Sequence, residues 1–85
     1  MISLPTRKSI GTENLIGQNI VLLRKRKNLK QTDLLAHLQV RGIDINQSAL
    51  SAIEGQHRKV SDRELLAISD ILGVPLEALF SPDNL

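Results

Sequence analysis

Residues 31–55 read QTDLLAHLQVRGIDINQSALSAIEG and contain two short helical patterns separated by a connector. In the first ten of these residues, the leucines lie on one side of a helix and polar residues lie on the other. Gly42 favours an end to this helix, because glycine adopts the left-handed conformation found at helix C-termini. The next three residues, 43–45, are too few for another element, so we expect an extended connector whose isoleucines enter the core.

The second pattern begins at Asn46, which is a favourable helix N-cap, and runs to about Gly55. With helical periodicity, the apolar side chains of Ala49, Leu50 and Ile53 share one face. The opposite face carries small or polar residues: Gln47, Ser48, Ser51 and Ala52. We therefore expect the helix over residues 46–55 to bury one face and to leave a slim polar face open.

Three further helices are predicted around this pair. Residues 12–28 place three apolar residues on one stripe: Ile16, Ile20 and Leu23. A capping box at residues 61–64 begins a fourth helix, which ends at Gly73. A fifth, short helix opens at Pro75 and carries three apolar residues at i, i+3 and i+4: Leu76, Leu79 and Phe80.

Chain length and periodicity together predict one compact all-α domain of five helices. Its 85 residues are too few for two independent cores. No periodicity is present in residues 1–11, which we assign to a flexible N-terminal arm. Residues 12–82 form the predicted domain, and residues 83–85 form a C-terminal tail.

The composition excludes several classes of function. The sequence has no cysteine, which excludes disulfide frameworks, zinc fingers and thiol catalysis. No apolar run approaches the roughly 20 residues that span a bilayer, so we expect no membrane role and a cytoplasmic location. The one aromatic residue, Phe80, cannot form the stacking platform of a single-strand binder.

Positive charge is concentrated in the first 60 residues. These residues contain ten Lys or Arg against four Asp or Glu, a net charge of 10 − 4 = +6. Residues 61–85 contain one against five, a net charge of 1 − 5 = −4. A basic N-terminal part and an acidic C-terminal part predict a polyanionic partner for one face of the domain, although a solvated charge gradient would give the same pattern.

Two short helices with a slim, polar outer face on the second have the layout of a helix-turn-helix, whose second helix enters the major groove of DNA. Small residues at this face let the backbone approach base edges, and Gln47 can offer an amide to adenine. Basic residues that could meet phosphates flank the helix in sequence: Lys30, Arg41, His57, Arg58 and Lys59.

Residues 13–81 resemble the lambda-repressor/Cro-type (Xre-family) DNA-binding domain. The resemblance rests on the joint order of several short motifs: Leu23-Arg24, Leu29-Lys30-Gln31, Leu34-Leu35, Gln47-Ser48, Leu50, Ile53-Glu54-Gly55, Leu65, Ile68, Leu72-Gly73-Val74 and Leu79-Phe80. The sequence departs from the family in two places. The connector before Asn46 is four or five residues longer, as in a subgroup of the family, and Lys30 stands where a small capping residue is usual.

The resemblance implies a role for individual residues. It implies DNA base contacts by Gln47, Ser48, Ser51 and Ala52. It implies that Gln31 clamps a phosphate at the start of its helix. From their positions beside the two helices, Lys30, Thr32, His57, Arg58 and Lys59 are further expected phosphate contacts, although residues 57–59 could equally form an exposed loop that makes none. Arg24 and Glu54 match a structural ion pair of the family.

We therefore expect a sequence-specific regulator of transcription, repressor-like, that binds double-stranded DNA as a homodimer through its C-terminal helices. No catalytic residue, metal, cofactor or small-molecule ligand is expected, because His37 and His57 lack a second ligand at metal spacing and no acid accompanies the serines. The alternative is a protein-interaction module, such as an antitoxin or adaptor, on the same scaffold.

Overall fold

A computed structural model describes residues 10–84 of the chain. It contains five α-helices: α1 (Gly17–Arg26), α2 (Gln31–Val40), α3 (Gln47–Glu54), α4 (Asp62–Leu72) and α5 (Leu76–Phe80). A short 3-10 helix follows at Pro82–Asn84, and residues 10–84 include no strand. The all-α fold of five helices is therefore confirmed. Among these residues, no helix has both the length and the apolar character that crossing a membrane requires.

A single apolar core joins all five helices. Each helix supplies at least one side chain with no solvent exposure, among them Ile20, Leu34, Leu50, Ile68 and Leu79. Burying each such side chain contributes about 1.5–3 kcal/mol relative to leaving it in water. The connector takes part as well, since Ile45 is buried and Ile43 packs against the same cluster. This confirms the prediction for the connector isoleucines.

Local capping signals set the ends of the middle helices as predicted. Asn46 Oδ1 accepts a hydrogen bond from the N–H of Ala49 at 2.8 Å, which caps α3. At the start of α4, Ser61 Oγ accepts from the Glu64 N–H at 3.2 Å, and Glu64 Oε1 accepts from the Ser61 N–H at 2.9 Å. Gly73 ends α4 in the left-handed conformation, with φ at 67°.

The predicted start of the first helix is wrong, because α1 begins at Gly17 and not at residue 12. The backbone before it bonds to the turn after α3: the Gly11 N–H donates to Gly55 O at 2.7 Å, and the Glu13 N–H donates to Gln56 O at 2.9 Å. Gly11 of the predicted arm is thus part of the folded domain, and residues 1–9 lie outside the described residues.

The predicted end of the first helix agrees with the structure: α1 closes at Arg26, and Asn28 adopts the left-handed conformation that commonly terminates a helix, with φ at 58°. In α5, the three apolar residues of the predicted stripe are not all buried. Leu79 and Ala78 are buried, whereas Leu76 is 39% exposed and Phe80 is 49% exposed. A helix of five residues offers the core little more than one turn, so its flanking apolar side chains stay at the surface.

Gly17 marks the closest approach of α1 to α3. A Cβ atom at this position would overlap the carbonyl oxygen of Ile53 and lie 2.6 Å from that of Glu54. Only glycine fits this contact without moving the backbone. The first turn of α1 therefore sits directly on the last turn of α3.

Replacing Gly17 by alanine is expected to lower the free energy of unfolding by about 2–3 kcal/mol, because the new methyl group forces two packed helices apart. Gly42→Ala is the control. Gly42 has φ at 84° and open space around its Cα, so this change adds only the cost of a left-handed alanine, about 1–2 kcal/mol. Urea denaturation measures both. An equal or smaller loss for Gly17→Ala would contradict the close approach.

Candidate nucleic-acid interface

The outward side of α3 is open to solvent. Gln47, Ser48 and Ser51 are exposed, and Ala52 is half-buried. The opposite side is closed, since Leu50 and Ile53 have no solvent exposure. The helix therefore presents a slim polar surface along its length, with small side chains through which a ligand could approach the backbone.

A buried ion pair ties the end of α3 to α1. Arg24 Nε donates to Glu54 Oε2 at 2.8 Å, and Arg24 Nη2 donates to Glu54 Oε1 at 3.0 Å. The two side chains are only 12% and 7% exposed. Arg24 Nη1 also donates to Leu29 O at 3.1 Å, in the segment that leads into α2. The Arg24 guanidinium thus joins α1, α3 and the segment before α2. Its two parallel hydrogen bonds to one carboxylate have the geometry that makes such ion pairs strong.

Gln31 extends this ion pair to the surface of α3. Its Nε2 donates to Glu54 Oε1 at 3.1 Å. Its Oε1 accepts hydrogen bonds from Ser51 Oγ at 3.1 Å and from Gln47 Nε2 at 3.4 Å. The structure therefore directs the Gln31 side chain toward α3. The free backbone N–H groups at the start of α2 remain as the feature that can hold a phosphate there.

The predicted phosphate-contacting residues lie in two groups beside α3. Lys30 and Thr32 are exposed on either side of Gln31, at the start of α2. The second group follows α3, where His57 and Lys59 are exposed and the His57 N–H donates to Ala52 O at 2.8 Å. The first group thus adjoins Gln31, which contacts α3, and the second group begins two residues after Gly55, the C-cap of α3.

Arg58 has a protein partner that the sequence pattern did not indicate. Its Nη1 and Nη2 donate to the two carboxylate oxygens of Glu64 at 3.0 and 2.8 Å. Nη1 also donates to Lys59 O at 3.0 Å. The Arg58 charge is therefore compensated within the protein, and its guanidinium fixes the turn that carries Lys59.

The same ion pair shifts both pKa values. The hydrogen bonds from Arg58 hold the pKa of the Glu64 carboxyl below its usual value, and the capping bonds with Ser61 lower it further, against the opposing effect of burial. Glu64 in turn raises the pKa of Arg58. Glu64 is thus stabilised as a carboxylate while it caps α4.

Three amide side chains make hydrogen bonds around the end of α3 that the sequence did not predict. Asn14 Nδ2 donates to Ile53 O at 3.0 Å, and Gln18 Nε2 donates to Glu54 O at 3.0 Å. Gln56 Nε2 donates to Asn14 O at 2.9 Å. Their partners lie about 40 positions away, so helical periodicity carries no signal for them.

No group of three His, Asp or Glu side chains in residues 10–84 is arranged to hold a metal ion. The polar groups at the surface of α3 are instead amides and hydroxyls, which can both donate and accept hydrogen bonds. The arrangement is suited to recognising a surface that presents donors and acceptors, flanked by negative charge.

The fold is similar to that of a solved structure described as the DNA-binding domain of BldD. The TM-score is 0.61 at 16% sequence identity, and the match covers 87% of this chain and 96% of that chain. Protein-family models give no match, and no curated protein matches the chain. At this identity the similarity is one of fold.

Replacing Arg24 by alanine is expected to lower the free energy of unfolding by about 3–5 kcal/mol, because Glu54 is left charged and buried. Arg26→Ala is the matched control. It breaks the Arg26–Asp83 ion pair, whose side chains are 47% and 87% exposed, and should cost less than about 1 kcal/mol. Urea denaturation followed by circular dichroism compares the two. Similar losses would show that the Arg24–Glu54 pair does not support the fold.

The pH dependence of stability should change in Glu64→Gln. Because folding lowers the pKa of Glu64, its contribution is present above the unfolded value of about 4.3 and is lost as pH falls through the folded value. We expect the free energy of unfolding of the wild type to decrease more steeply below about pH 4.3 than that of the variant. Denaturant titrations across this range measure the difference, and parallel curves would contradict it.

Proposed function

We propose that this protein is a sequence-specific, double-stranded DNA-binding regulator of transcription of the lambda-repressor-like (Xre) family, repressor-like in its action, with α3 in the major groove. The observation that carries the proposal is the open polar side of α3, whose apolar side is fully buried. The similarity in fold to a DNA-binding domain supports it. The proposal includes a cytoplasmic location, and binding DNA in this way requires neither catalysis nor a cofactor.

Gln47, Ser48 and Ser51 are the proposed base-contacting residues, with Ala52 available to a thymine methyl group. The bond from Gln47 Nε2 to Gln31 Oε1 orients the Gln47 amide. The second N–H and the carbonyl oxygen of that amide are left to meet the paired donor and acceptor of adenine. Gln31 thus supports base recognition in addition to its proposed place beside a phosphate.

The proposed phosphate contacts lie on both groups that flank α3. Lys30, Thr32 and the N–H groups at the start of α2 form one group, and His57 and Lys59 form the other. Arg58 contributes to the second group by holding the turn through its bond to Lys59 O. Contacts of this kind fix the register of the protein on the duplex, while base contacts supply the specificity.

A second copy of the chain is the proposed partner at the C-terminal helices. Leu15, 76% exposed, and Phe80 line a shallow apolar hollow with Val60 and Leu65. Glu13 also lines it and gives the proposed interface a polar edge. In a dimer that binds DNA, the two recognition helices lie on one side and meet half-sites about one helical turn apart.

Selection from a pool of random duplexes tests this function. A motif with twofold symmetry is expected from a dimer. On the selected duplex, Ser48→Ala should weaken binding by about three- to tenfold through the loss of one hydrogen bond. The matched control is Ser81→Ala, since Ser81 is an exposed serine beyond α5. Its binding should equal that of the wild type.

Salt dependence provides the second measurement. Lys59→Ala should reduce the slope of log affinity against log salt by about 0.9 for each subunit of the bound dimer, whereas Lys25→Ala, on the exposed side of α1, should leave the slope unchanged. If no motif is enriched, the proposed function fails. Capture of a protein partner that withstands Gln47→Ala and Ser51→Ala, and is lost in Phe80→Ser at the exposed surface of α5, would favour the antitoxin or adaptor alternative.

A further inference from the structure

The C-terminal end of α3 is held by the chain that precedes and opens α1, which we call the strap (residues 11–18). The last carbonyl groups of a helix have no partner within it. The strap supplies partners for two of these carbonyls and for the carbonyl of the residue that follows α3: Asn14 Nδ2 donates to Ile53 O at 3.0 Å, Gln18 Nε2 donates to Glu54 O at 3.0 Å, and the Gly11 N–H donates to Gly55 O at 2.7 Å.

Asn14 is the central residue of the strap. Beyond its bond to α3, its Nδ2 donates to Arg58 O at 2.8 Å. Its Oδ1 accepts from the N–H groups of Ile16 at 3.0 Å and Gly17 at 2.8 Å, which caps α1. A single amide therefore uses its oxygen to start one helix and its nitrogen to hold the end of another.

Gln56, which lies just after α3, forms hydrogen bonds back to the strap. Its φ is 62°, in the left-handed region where glycine or asparagine is usual after a helix. The hydrogen bonds of the side chain explain why a glutamine occupies this position. Its Nε2 donates to Asn14 O at 2.9 Å, and its Oε1 accepts from the Gln18 N–H at 3.3 Å. A strained backbone conformation is thus retained at the position where its amide can hold the strap.

The eight residues of α3 are too few for a helix to be stable alone, so tertiary contacts must fix it. We propose that Asn14 and Gln56 are positioning residues for DNA recognition, which set the orientation of the last turn of α3 through the strap. This inference rests on the proposed function. Neither residue touches the nucleic acid in this proposal, and both act by holding the helix that does.

Two variants break the strap in different ways. Asn14→Asp keeps the oxygen that caps α1 but removes the N–H groups that hold Ile53 O and Arg58 O. Gln56→Gly relieves the left-handed backbone but removes the amide. Asn19→Asp is the matched control, because it removes the same kind of bond, from Asn19 Nδ2 to Leu79 O at 2.7 Å, between α1 and α5.

Two measurements report on orientation rather than on stability alone. Hydrogen exchange of the backbone amides of residues 52–55, in the free protein, reports how firmly the end of α3 is held. The ratio of affinities for the selected duplex and an unrelated duplex reports base recognition. In both strap variants, the exchange rates of these amides should be about tenfold higher than in Asn19→Asp, as expected for one or two lost hydrogen bonds. The ratio of affinities for the two duplexes should fall by about the same factor.

Exchange rates and affinity ratios equal to those of Asn19→Asp would overturn the inference. So would a Gln56→Gly variant that matches the wild type in both, since the amide would then have no role beyond local structure. Failure of the wild type to bind any duplex would instead overturn the proposed function. The exchange comparison, made without DNA, would still decide whether the strap holds α3.

Discussion

The buried ion pair between Arg24 and Glu54 is the constraint on which the arrangement of this domain depends. A carboxylate at 7% side-chain exposure is tolerated only because a guanidinium and an amide satisfy it. Since Arg24 also bonds to the chain before α2, the pair fixes α1, α2 and α3 against one another. The junction that this pair forms therefore helps to hold α3 in the orientation in which its polar surface is exposed.

From this junction a continuous set of hydrogen bonds runs to the surface. Glu54 contacts Gln31, and Gln31 contacts Ser51 and Gln47. Two of the side chains proposed to contact DNA bases, Ser51 and Gln47, are thereby linked to the core through one amide, which limits the rotamers they sample. Preorganisation of this kind reduces the entropy lost when the complex forms.

Local signals account for the parts of the fold that the sequence predicted well. The limits of α2, α3 and α4 follow from caps and periodicity within a few residues, such as Asn46 for α3 and the Ser61–Glu64 box for α4. The start of α1 was predicted wrongly because residues 11–14 bond to the chain near residue 55, and the sequence shows no local trace of that pairing.

In the candidate site, too, some features follow from local sequence signals and others do not. The open side of α3 follows from helical periodicity, and the Arg24–Glu54 pair was indicated only by the family resemblance. The pairing of Arg58 with Glu64 could not be anticipated, because the capping box explained Glu64 by itself and an arginine near a helix end has many possible partners. Competition among several acceptable partners, rather than weak propensity, limits prediction for such residues.

The connector between α2 and α3 has one end without packing contacts and one end that is fixed in the core. Gly42 lies in open space, while Ile45, three residues later, is buried in the core. The packing of Ile45 therefore fixes the point at which the chain enters α3, directly before Asn46 caps that helix. A change in the chain around Gly42 has no neighbouring side chain to displace, so the far end of the connector can be altered while the start of α3 stays in place.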